Sequence, residues 1–484
     1  MLFVYSVDTT GRKVAHCDLS VERIDNMTLK AGTARVDITP PLGTRLSGAF
    51  FERRATDIGD PLHATALFLD DGRTQVAVVS CDLLSLKNRT VAHVRTLISD
   101  KLGIPGENLL FHGTHTHFGP QTTDLFLSEA DEEYLAMLER HLVSVVELAK
   151  QNRREAKVGF GKGREDSLVF NRRYHMADGK VVTQPQKGDP TILNPEGPID
   201  PEVGVMYVQD SNGRDLAILV NHACHPTVIS QNGMSSTVSS ISADYPGCVV
   251  SKIEEYADTG ATALFFNGTS GNIWHIDVKD LDKKDSGVAW ARRMGAILAA
   301  EVMKTVNKIY DHQLSQDVAI QVRRGCCQIP IRSISEEDIK WATAYLKKYD
   351  RMTPEQRTIP EEPHSTWTRP EVRRVFAREI VLLEQERQQN PVVDIEIQVI
   401  QVGNAVLVAL PAEVFVEYGL AIKEASPYPH TFLITLANGM VGYIPTQKAF
   451  DGGSYEIMAA RSSKLVPEAG SQVVEKALQV IGKV

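Results

Sequence analysis

The stretch NLLFHGTHTHFGP, residues 108–120, determines the fold prediction because an almost wholly apolar run passes directly into a polar cluster. Further runs share this apolar character, which is typical of strands that are covered on both faces. They are QVAVVSCDLL (75–84), DLAILVNHA (215–223) and TALFFNG (262–268). We predict that these runs and residues 108–113 form the centre of one sheet.

Amphipathic segments alternate with these strands along the chain. Apolar residues recur every three or four positions over residues 89–103, 132–152 and 287–309, so we predict helices that cover the sheet. The alternation predicts an α/β fold with layered, mixed β-sheets covered by helices. We predict that residues 1–30 are an irregular leader and that residues 31–484 form a single domain.

A strongly charged segment interrupts this pattern at residues 335–390. Two amphipathic stretches, EEDIKWATAYLKKYD and RPEVRRVFAREIVLLEQERQQ, predict helices joined by a Pro-containing loop. We interpret the segment as a helical excursion with a solvated charged face, although such an insertion could also shape the rim of a pocket. The runs VDIEIQVIQVG and NAVLVALP then predict a hairpin that turns at Gly403 and Asn404.

The composition excludes several classes of protein. The 484 residues are 43% hydrophobic and 23% charged, as is usual for a globular protein. The net charge of −9 lacks the basic excess that phosphate backbones select, so nucleic acid is not an expected partner. No apolar run approaches the ~20 residues of a membrane span. The N-terminus has neither a basic leader nor a cleavage site, so we expect a cytoplasmic location.

The polar cluster that follows residues 108–113 contains His115 and His117. On extended backbone, residues two apart project to the same face, within reach of one ion or substrate. The pair alone fits two structural, hydrogen-bonded histidines better than it fits a metal site. Other clusters must therefore decide between the two interpretations.

Three more clusters carry residues of the same chemical type. His222 and His225 follow the strand at 215–223, and Glu413 follows a strand and a proline. A Gly-rich segment further on carries Tyr443 and Tyr455. Two histidines and a carboxylate, with or without a phenolate, would form a nitrogen and oxygen site that favours zinc over calcium or magnesium.

Common enzyme motifs do not account for these clusters. The chain has no P-loop, no GxGxxG after a strand, no HExxH and no GxSxG, which removes the usual nucleotide-binding, zincin and serine-hydrolase interpretations. Ser270 lies between small residues in NGTSGNIW (267–274), but no general base can be assigned to it. We therefore interpret this segment as a tight turn.

Taken in order, the clusters resemble the neutral/alkaline non-lysosomal ceramidase family, which are zinc amidases that cleave the N-acyl bond of ceramide. The resemblance spans most of the chain after the leader and rests on seven ordered landmarks. They are AGTARVDITPPLG (31–43), GIPGENLLFHGTHTHFGP (103–120), NHACHPT (221–227), ISADYPG (241–247), NGTSGNI (267–273), LPAEVF (410–415) and GYIPT (442–446).

The resemblance implies a ceramidase-like catalytic domain in which metal-bound water attacks an amide carbonyl. It implies that the zinc ligands are His115, His225, Glu413 and Tyr443. Some members carry a further tyrosine three residues before the last of these, where this chain has Met440. The resemblance also assigns catalytic residues: His117 as general acid and base, Arg172 or Arg173 of NRRY as the group that meets the substrate, and Tyr455 in an oxyanion role.

Departures from the family pattern affect the expected substrate. Asn272 and Trp274 stand where ceramidases carry aspartate and serine, and Phe450 replaces a tyrosine, which leaves the oxyanion role to Tyr455 or an arginine. The C-terminal β-sandwich of the secreted members is not recognisable. We therefore expect a small polar amide as substrate, with a lipid as the alternative. A metal-dependent esterase or lactonase acting on a sugar-derived substrate, and a non-catalytic binding protein, also remain open.

Overall fold

The structure is a computed structural model that describes residues 28–230, 237–257, 260–359 and 369–482, together with the backbone of residues 4–7 and 13–16. The helices in these ranges are α1 (Asn88–Leu102), α2 (Glu132–Gln151), α3 (Asp244–Tyr256), α4 (Val288–Val306), α5 (Glu336–Asp350), α6 (Pro354–Thr358), α7 (Pro370–Gln389), α8 (Val416–Ala425), α9 (Gln447–Gly452) and α10 (Ala469–Ile481).

The strands in the same ranges vary from two to eleven residues in length. They are β1 (Val4–Val7), β2 (Lys13–His16), β3 (Lys30–Asp37), β4 (Arg45–Leu46), β5 (Arg53–Arg54), β6 (Asp57–Ile58), β7 (His63–Asp70), β8 (Gln75–Cys81), β9 (Leu109–Gly113), β10 (Arg154–Arg164), β11 (Phe170–Asn171), β12 (Arg173–Met176), β13 (Val181–Thr183), β14 (Ile192–Pro195), β15 (Glu202–Asp210), β16 (Asp215–His222), β17 (Ser240–Ile241), β18 (Thr262–Asn267), β19 (Ile273–Trp274), β20 (Ile320–Pro330), β21 (Val392–Val402), β22 (Ala405–Leu410), β23 (Glu413–Val414), β24 (His430–Thr435) and β25 (Tyr443–Ile444).

An eight-stranded sheet in the order β18-β16-β15-β10-β3-β7-β8-β9 contains all four predicted central strands. The pairs β8–β9 and β16–β18 are parallel, whereas the other neighbours are antiparallel, so the sheet is mixed as predicted. A second sheet, ordered β20-β21-β22-β24, lies against it.

The two sheets form the inner layers of a four-layer structure. Leu110 of β9 and Phe266 of β18 belong to the same buried cluster as Leu407 of β22 and Phe432 of β24. The opposite face of the large sheet is covered by α1 and α2 at one end and by α3 and α4 at the other. Helices α8 and α10 cover the outer face of the small sheet. The predicted layered α/β architecture is therefore confirmed.

The large sheet curls so that its edge strands β9 and β18 approach each other. The Asn267 amide N donates to Nε2 of His112 at 3.0 Å, and Nδ1 of His112 donates to the Thr435 carbonyl at 2.8 Å. Burial is the main cause that lowers the pKa of His112, to about 3, so the ring is neutral and can serve both partners. The imidazole thereby joins β9, β18 and β24 and brings their carboxyl ends together.

The other predictions of secondary structure have mixed outcomes. Helices α1, α2 and α4 lie at the predicted positions, and β21 and β22 form the predicted hairpin, with Gly403 at a φ of +58°. The excursion contains α5 and α7 and, in addition, the short α6; residues 360–368 of its loop lie outside the described residues. Within the predicted leader, β1 and β2 pair as antiparallel strands. Both strands contain valine, which has a high strand propensity. None of the helices in the described ranges is long and apolar enough to span a bilayer.

Candidate metal centre

The predicted polar clusters meet where strands of both sheets end. His115 and His117 follow β9, His225 follows β16, and Glu413 follows β22. Because the edge strands β9 and β18 of the large sheet approach each other, the loops that follow β9 and β16 lie close together. The folded chain therefore brings together residues that are about three hundred positions apart in sequence, a separation seen between His115 and Glu413.

The three imidazole groups converge through their Nε2 atoms. His115 Nε2 lies 3.1 Å from His225 Nε2 and 3.4 Å from His117 Nε2. The ring nitrogens of all three residues lie within 4.8 Å of one another, and all three side chains are buried. This arrangement could hold one metal ion.

Backbone carbonyls orient each ring toward the common point. Nδ1 of His115 donates to Leu84 O at 3.0 Å, Nδ1 of His117 to Gly48 O at 2.7 Å, and Nδ1 of His225 to Ser270 O at 3.3 Å. A carbonyl can only accept, so each Nδ1 carries a proton, and Nε2 is the ring nitrogen that is left to face the common point. Metal-binding histidines are held in the same way by outer-shell acceptors.

His115 has a backbone conformation that is unusual for its residue type. Its φ is +72°, in the left-handed region that residues with a Cβ rarely occupy. Strain of this kind persists where the surrounding structure imposes it, and it is common at functional sites. Here the amide of His115 donates to Leu83 O while the ring donates to Leu84 O, so both bonds fix the residue in place.

Glu413 supplies a carboxylate to the same point. Its Oε2 lies 3.3 Å from His115 Nε2 and 3.9 Å from His225 Nε2. This oxygen is buried and receives no hydrogen bond from the described part of the chain. A buried carboxylate oxygen without a donor is costly unless a cation satisfies it. Imidazole nitrogens and this oxygen therefore fit a transition-metal ion such as zinc in both ligand type and burial.

Electrostatics favour the neutral imidazoles that metal binding requires. Burial lowers the pKa of His117 well below its usual range, and the neighbouring His115 adds to the effect. Burial also lowers the pKa of His225, helped by Arg172 and by the other two histidines. At neutral pH both rings are available as proton acceptors or as ligands.

Tyr443 and Arg172 border the imidazole cluster. Arg172 Nη2 donates to the Tyr443 hydroxyl at 3.1 Å, and Arg172 Nε donates to Glu456 at 2.8 Å. Arg173 points elsewhere, to Glu196 and to the second oxygen of Glu456. Of the two arginines, Arg172 is therefore the one that contacts a residue of the predicted site.

A small cavity lies over the imidazoles and Glu413. Its volume is about 10 Å³, roughly what one water molecule requires. Tyr443, Tyr455 and Met440 contribute to its walls. The rings of the two tyrosines are 5.7 Å apart and meet edge to face. The structure thus brings every metal and catalytic residue predicted from the sequence to this cavity or its immediate surroundings.

Other residues weighed from the sequence have structural contacts. His222 turns away, with Nδ1 bonded to Glu202 O, and Ser270 offers its carbonyl rather than its hydroxyl to His225. Asn272 bridges Glu417 and the amide of Val416. Trp274 is buried in β19, and Phe450 packs under the guanidinium of Arg332. Departures from the ceramidase pattern therefore lie in the scaffold beside the cluster.

Sequence reasoning missed residues that position the site from a distance. Gly48 is one of them: its φ is +80°, and a Cβ there would lie 2.5 Å from the ring of His117. Glu456 is another, because its carboxylate is fully buried between Arg172 and Arg173. No local pattern marks either residue, since the partners are 69 or more positions away in sequence.

Comparison with known structures agrees with this description. The mixed, layered sheets and their helices define a layered α/β protein. The particular fold is that of neutral ceramidase. The chain matches neutral ceramidase from Pseudomonas aeruginosa with a TM-score of 0.67 and 18% identity, over 95% of this chain and 75% of that one. A ceramidase complexed with C2 matches with the same TM-score and 17% identity, over 95% and 76%. No family model matches the chain.

Proposed function

We propose that this chain is a zinc-dependent hydrolase that cleaves an amide bond, with His115, His225, Glu413 and Tyr443 as the metal ligands. The observation that carries the proposal is the convergence of buried Nε2 atoms on a carboxylate oxygen that receives no hydrogen bond from the described residues. The shared fold with neutral ceramidases supports the same assignment. Zinc, when bound, would polarise the scissile carbonyl and acidify a water molecule.

His117 is assigned to proton transfer. Its Nδ1 proton is engaged by Gly48 O, so Nε2 is the atom that takes a proton from the attacking water. The same atom returns this proton to the leaving nitrogen as the carbon–nitrogen bond breaks, which yields a carboxylic acid and an amine. Burial keeps the pKa of the ring low, and the ring is therefore neutral at the start of the cycle.

Tyr455 and Arg172 are assigned to charge stabilisation. Burial raises the pKa of Tyr455, so its phenol keeps the proton that it can donate to the developing oxyanion. Arg172 keeps its charge in spite of complete burial because Tyr443, Glu456 and Glu413 surround it. Its guanidinium orients the Tyr443 oxygen through the 3.1 Å hydrogen bond.

The proposal is tested by metal analysis and a substrate panel. Protein purified with supplementary zinc should contain stoichiometric zinc by mass spectrometry. It should hydrolyse small polar amides more efficiently than short-chain ceramides, esters or lactones. Only a small fraction of a zinc ion per chain would contradict the metal site, and stoichiometric zinc without hydrolysis of any amide would contradict the enzyme.

A further inference from the structure

The charged excursion places an aromatic side chain next to the cavity over the imidazoles, which we call the reaction cavity. Phe376 of α7 lies edge to face against Phe50, Phe126 and Tyr455, with ring centroids 5.9, 6.2 and 6.3 Å away. Phe126 and Tyr455 are themselves walls of the cavity over the imidazoles. One face of α7 thus packs behind two walls of the cavity, which agrees with the alternative interpretation of this segment as an insertion that shapes the rim of a pocket.

Polar contacts hold α7 against the walls of the cavity. Arg378, two residues after Phe376, donates to the carbonyl of Phe126. Glu379 is only 1% exposed and accepts two hydrogen bonds from Arg461, at 2.7 and 2.9 Å. Arg461 precedes Ser462, which lines the cavity. Since a buried, bidentate pair of this kind has defined geometry, α7 is fixed relative to the site.

A second cavity adjoins the first and has a different lining. Its volume is about 250 Å³, and it shares Leu125, Met440 and Ser462 with the cavity over the imidazoles. Charged side chains make up much of the remaining wall: Lys87, Asp124, Glu386, Arg461 and Lys464. We call this second cavity the vestibule. Lys87 pairs with Asp124 at 2.9 Å and Lys464 with Glu386 at 2.7 Å, so this wall is ionic and an alkyl chain in the vestibule would gain little apolar contact.

We propose that α7 sets the substrate class, with Phe376 holding Phe126 and Tyr455 in the positions that close the reaction cavity to long acyl chains. The site then takes an amide with a short acyl group, whose polar remainder extends into the vestibule. This inference rests on the proposed function and narrows it to a substrate type. Phe376 acts here as a positioning residue, since its ring packs against Phe126 and Tyr455 and leaves these two walls no room to move aside for the methylenes of a longer chain.

Straight-chain hydroxamic acids test the inference without requiring turnover, because the hydroxamate group chelates zinc and the alkyl group reports the room beside it. Zinc-loaded protein, with its metal content measured first, is titrated calorimetrically with acetohydroxamate, hexanohydroxamate and dodecanohydroxamate. The variants are Phe376→Ala, and Phe376→Leu in case the larger truncation unfolds the protein. The matched control is Phe68→Leu, because Phe68 is also a buried phenylalanine but lies under α1 and α2.

The wild type and Phe68→Leu should bind acetohydroxamate more tightly than dodecanohydroxamate. Both Phe376 variants should gain at least about tenfold in affinity for dodecanohydroxamate, since more of its methylenes are then buried. Tight dodecanohydroxamate binding by the wild type, or an unchanged preference in the Phe376 variants, would overturn the inference alone. Absence of zinc would instead overturn the proposed function, and this inference with it.

Discussion

Glu413 Oε2 lies 3.3 Å from His115 Nε2, although the two residues come from different sheets and the carboxylate receives no hydrogen bond from the described residues. A carboxylate in this position is explained if a cation binds between the two atoms. We therefore expect Glu413→Gln to lower zinc affinity by at least about tenfold, as is usual even for weaker perturbations of metal sites. Competition with a fluorescent chelator measures the change.

Glu417→Gln is the matched control for this prediction. Glu417 is also a largely buried carboxylate near the site, but its Oε2 accepts a hydrogen bond from Asn272 at 2.9 Å. We expect this variant to retain the zinc affinity of the wild type. Equal affinities in Glu413→Gln and the wild type would rule out Glu413 as a ligand.

The roles of His117 and His225 can be separated by replacing each with alanine. Their Nε2 atoms approach the same point, so geometry alone would admit both as ligands. We expect His225→Ala to lose zinc. We expect His117→Ala to keep it and to lose turnover by about a hundredfold or more, as is typical when a general acid and base is removed. Loss of zinc from both variants to the same extent would make His117 a third imidazole ligand.

The extent to which the site could be predicted from the sequence depended on the kind of residue. Histidines and a glutamate directly after apolar strands could be recognised, because strand ends build sites in layered α/β proteins. Their meeting could not be derived from the residues themselves, since it depends on His112 joining β9, β18 and β24 through backbone groups. Only the ordered resemblance to ceramidases indicated it.

The packing of Phe376 beside the site could not be predicted from the sequence. Its segment has the charge pattern of a solvated helix, and the pattern is correct for one face of α7. The other face packs against Phe50 and Phe126, which lie more than two hundred residues earlier in the chain. A helical period shows that an apolar face exists but not what covers it. The contact between this face of α7 and the residues around the site is therefore seen only in the folded structure.

Gly48→Ala should disturb His117 without removing it. The added Cβ would lie 2.5 Å from the imidazole, and the position has a φ of +80°. We expect the displaced ring to lower turnover by about tenfold or more, because misplacement by ~1 Å can cost a hundredfold. Zinc content should stay unchanged if His117 is not a ligand.

Gly43→Ala separates the displacement from simple backbone strain. Gly43 has a φ of +87° in the same segment, but a Cβ there would have no atom within 4 Å. Gly43→Ala should therefore lose stability from backbone strain alone, of the order of 1–2 kcal/mol, whereas Gly48→Ala should lose more because of the added contact with His117. Turnover should fall only in Gly48→Ala, and an equal fall in both would show that strain alone is responsible.

Glu456→Gln should destabilise the fold. Burial alone would raise the pKa of Glu456, but the guanidinium groups of Arg172 and Arg173 outweigh it and hold the pKa below its usual range. Removing this charge leaves two buried cations with one counter-ion fewer, which typically costs about 3–5 kcal/mol. Urea unfolding measures the loss. The exposed pair partner Glu336 provides a control, since Glu336→Gln should change stability by less than about 1 kcal/mol.

Asp82 makes stability depend on pH. Burial raises its pKa to about 7, with a further increase from Asp60, although the amide of His63 and the charge of Arg35 act in the opposite direction. The folded protein therefore retains a proton on Asp82 at pH values where the unfolded chain, with an ordinary pKa of 3.8, has lost it. Folding is coupled to proton uptake, so this contribution is complete below pH 3.8 and is lost as pH rises toward 7.

Asp82→Asn should reduce this loss of stability. The amide oxygen can still accept the hydrogen bond that His63 N donates to the carboxylate at 2.9 Å, while the ionisable group is gone. Asp244, whose pKa is also raised by burial, to about 7, is unchanged in this variant. Part of the fall in stability with rising pH therefore remains. Urea midpoints measured from about pH 5 to pH 8 should therefore fall less steeply in the variant than in the wild type. Parallel curves would show that Asp82 is already ionised in the folded protein.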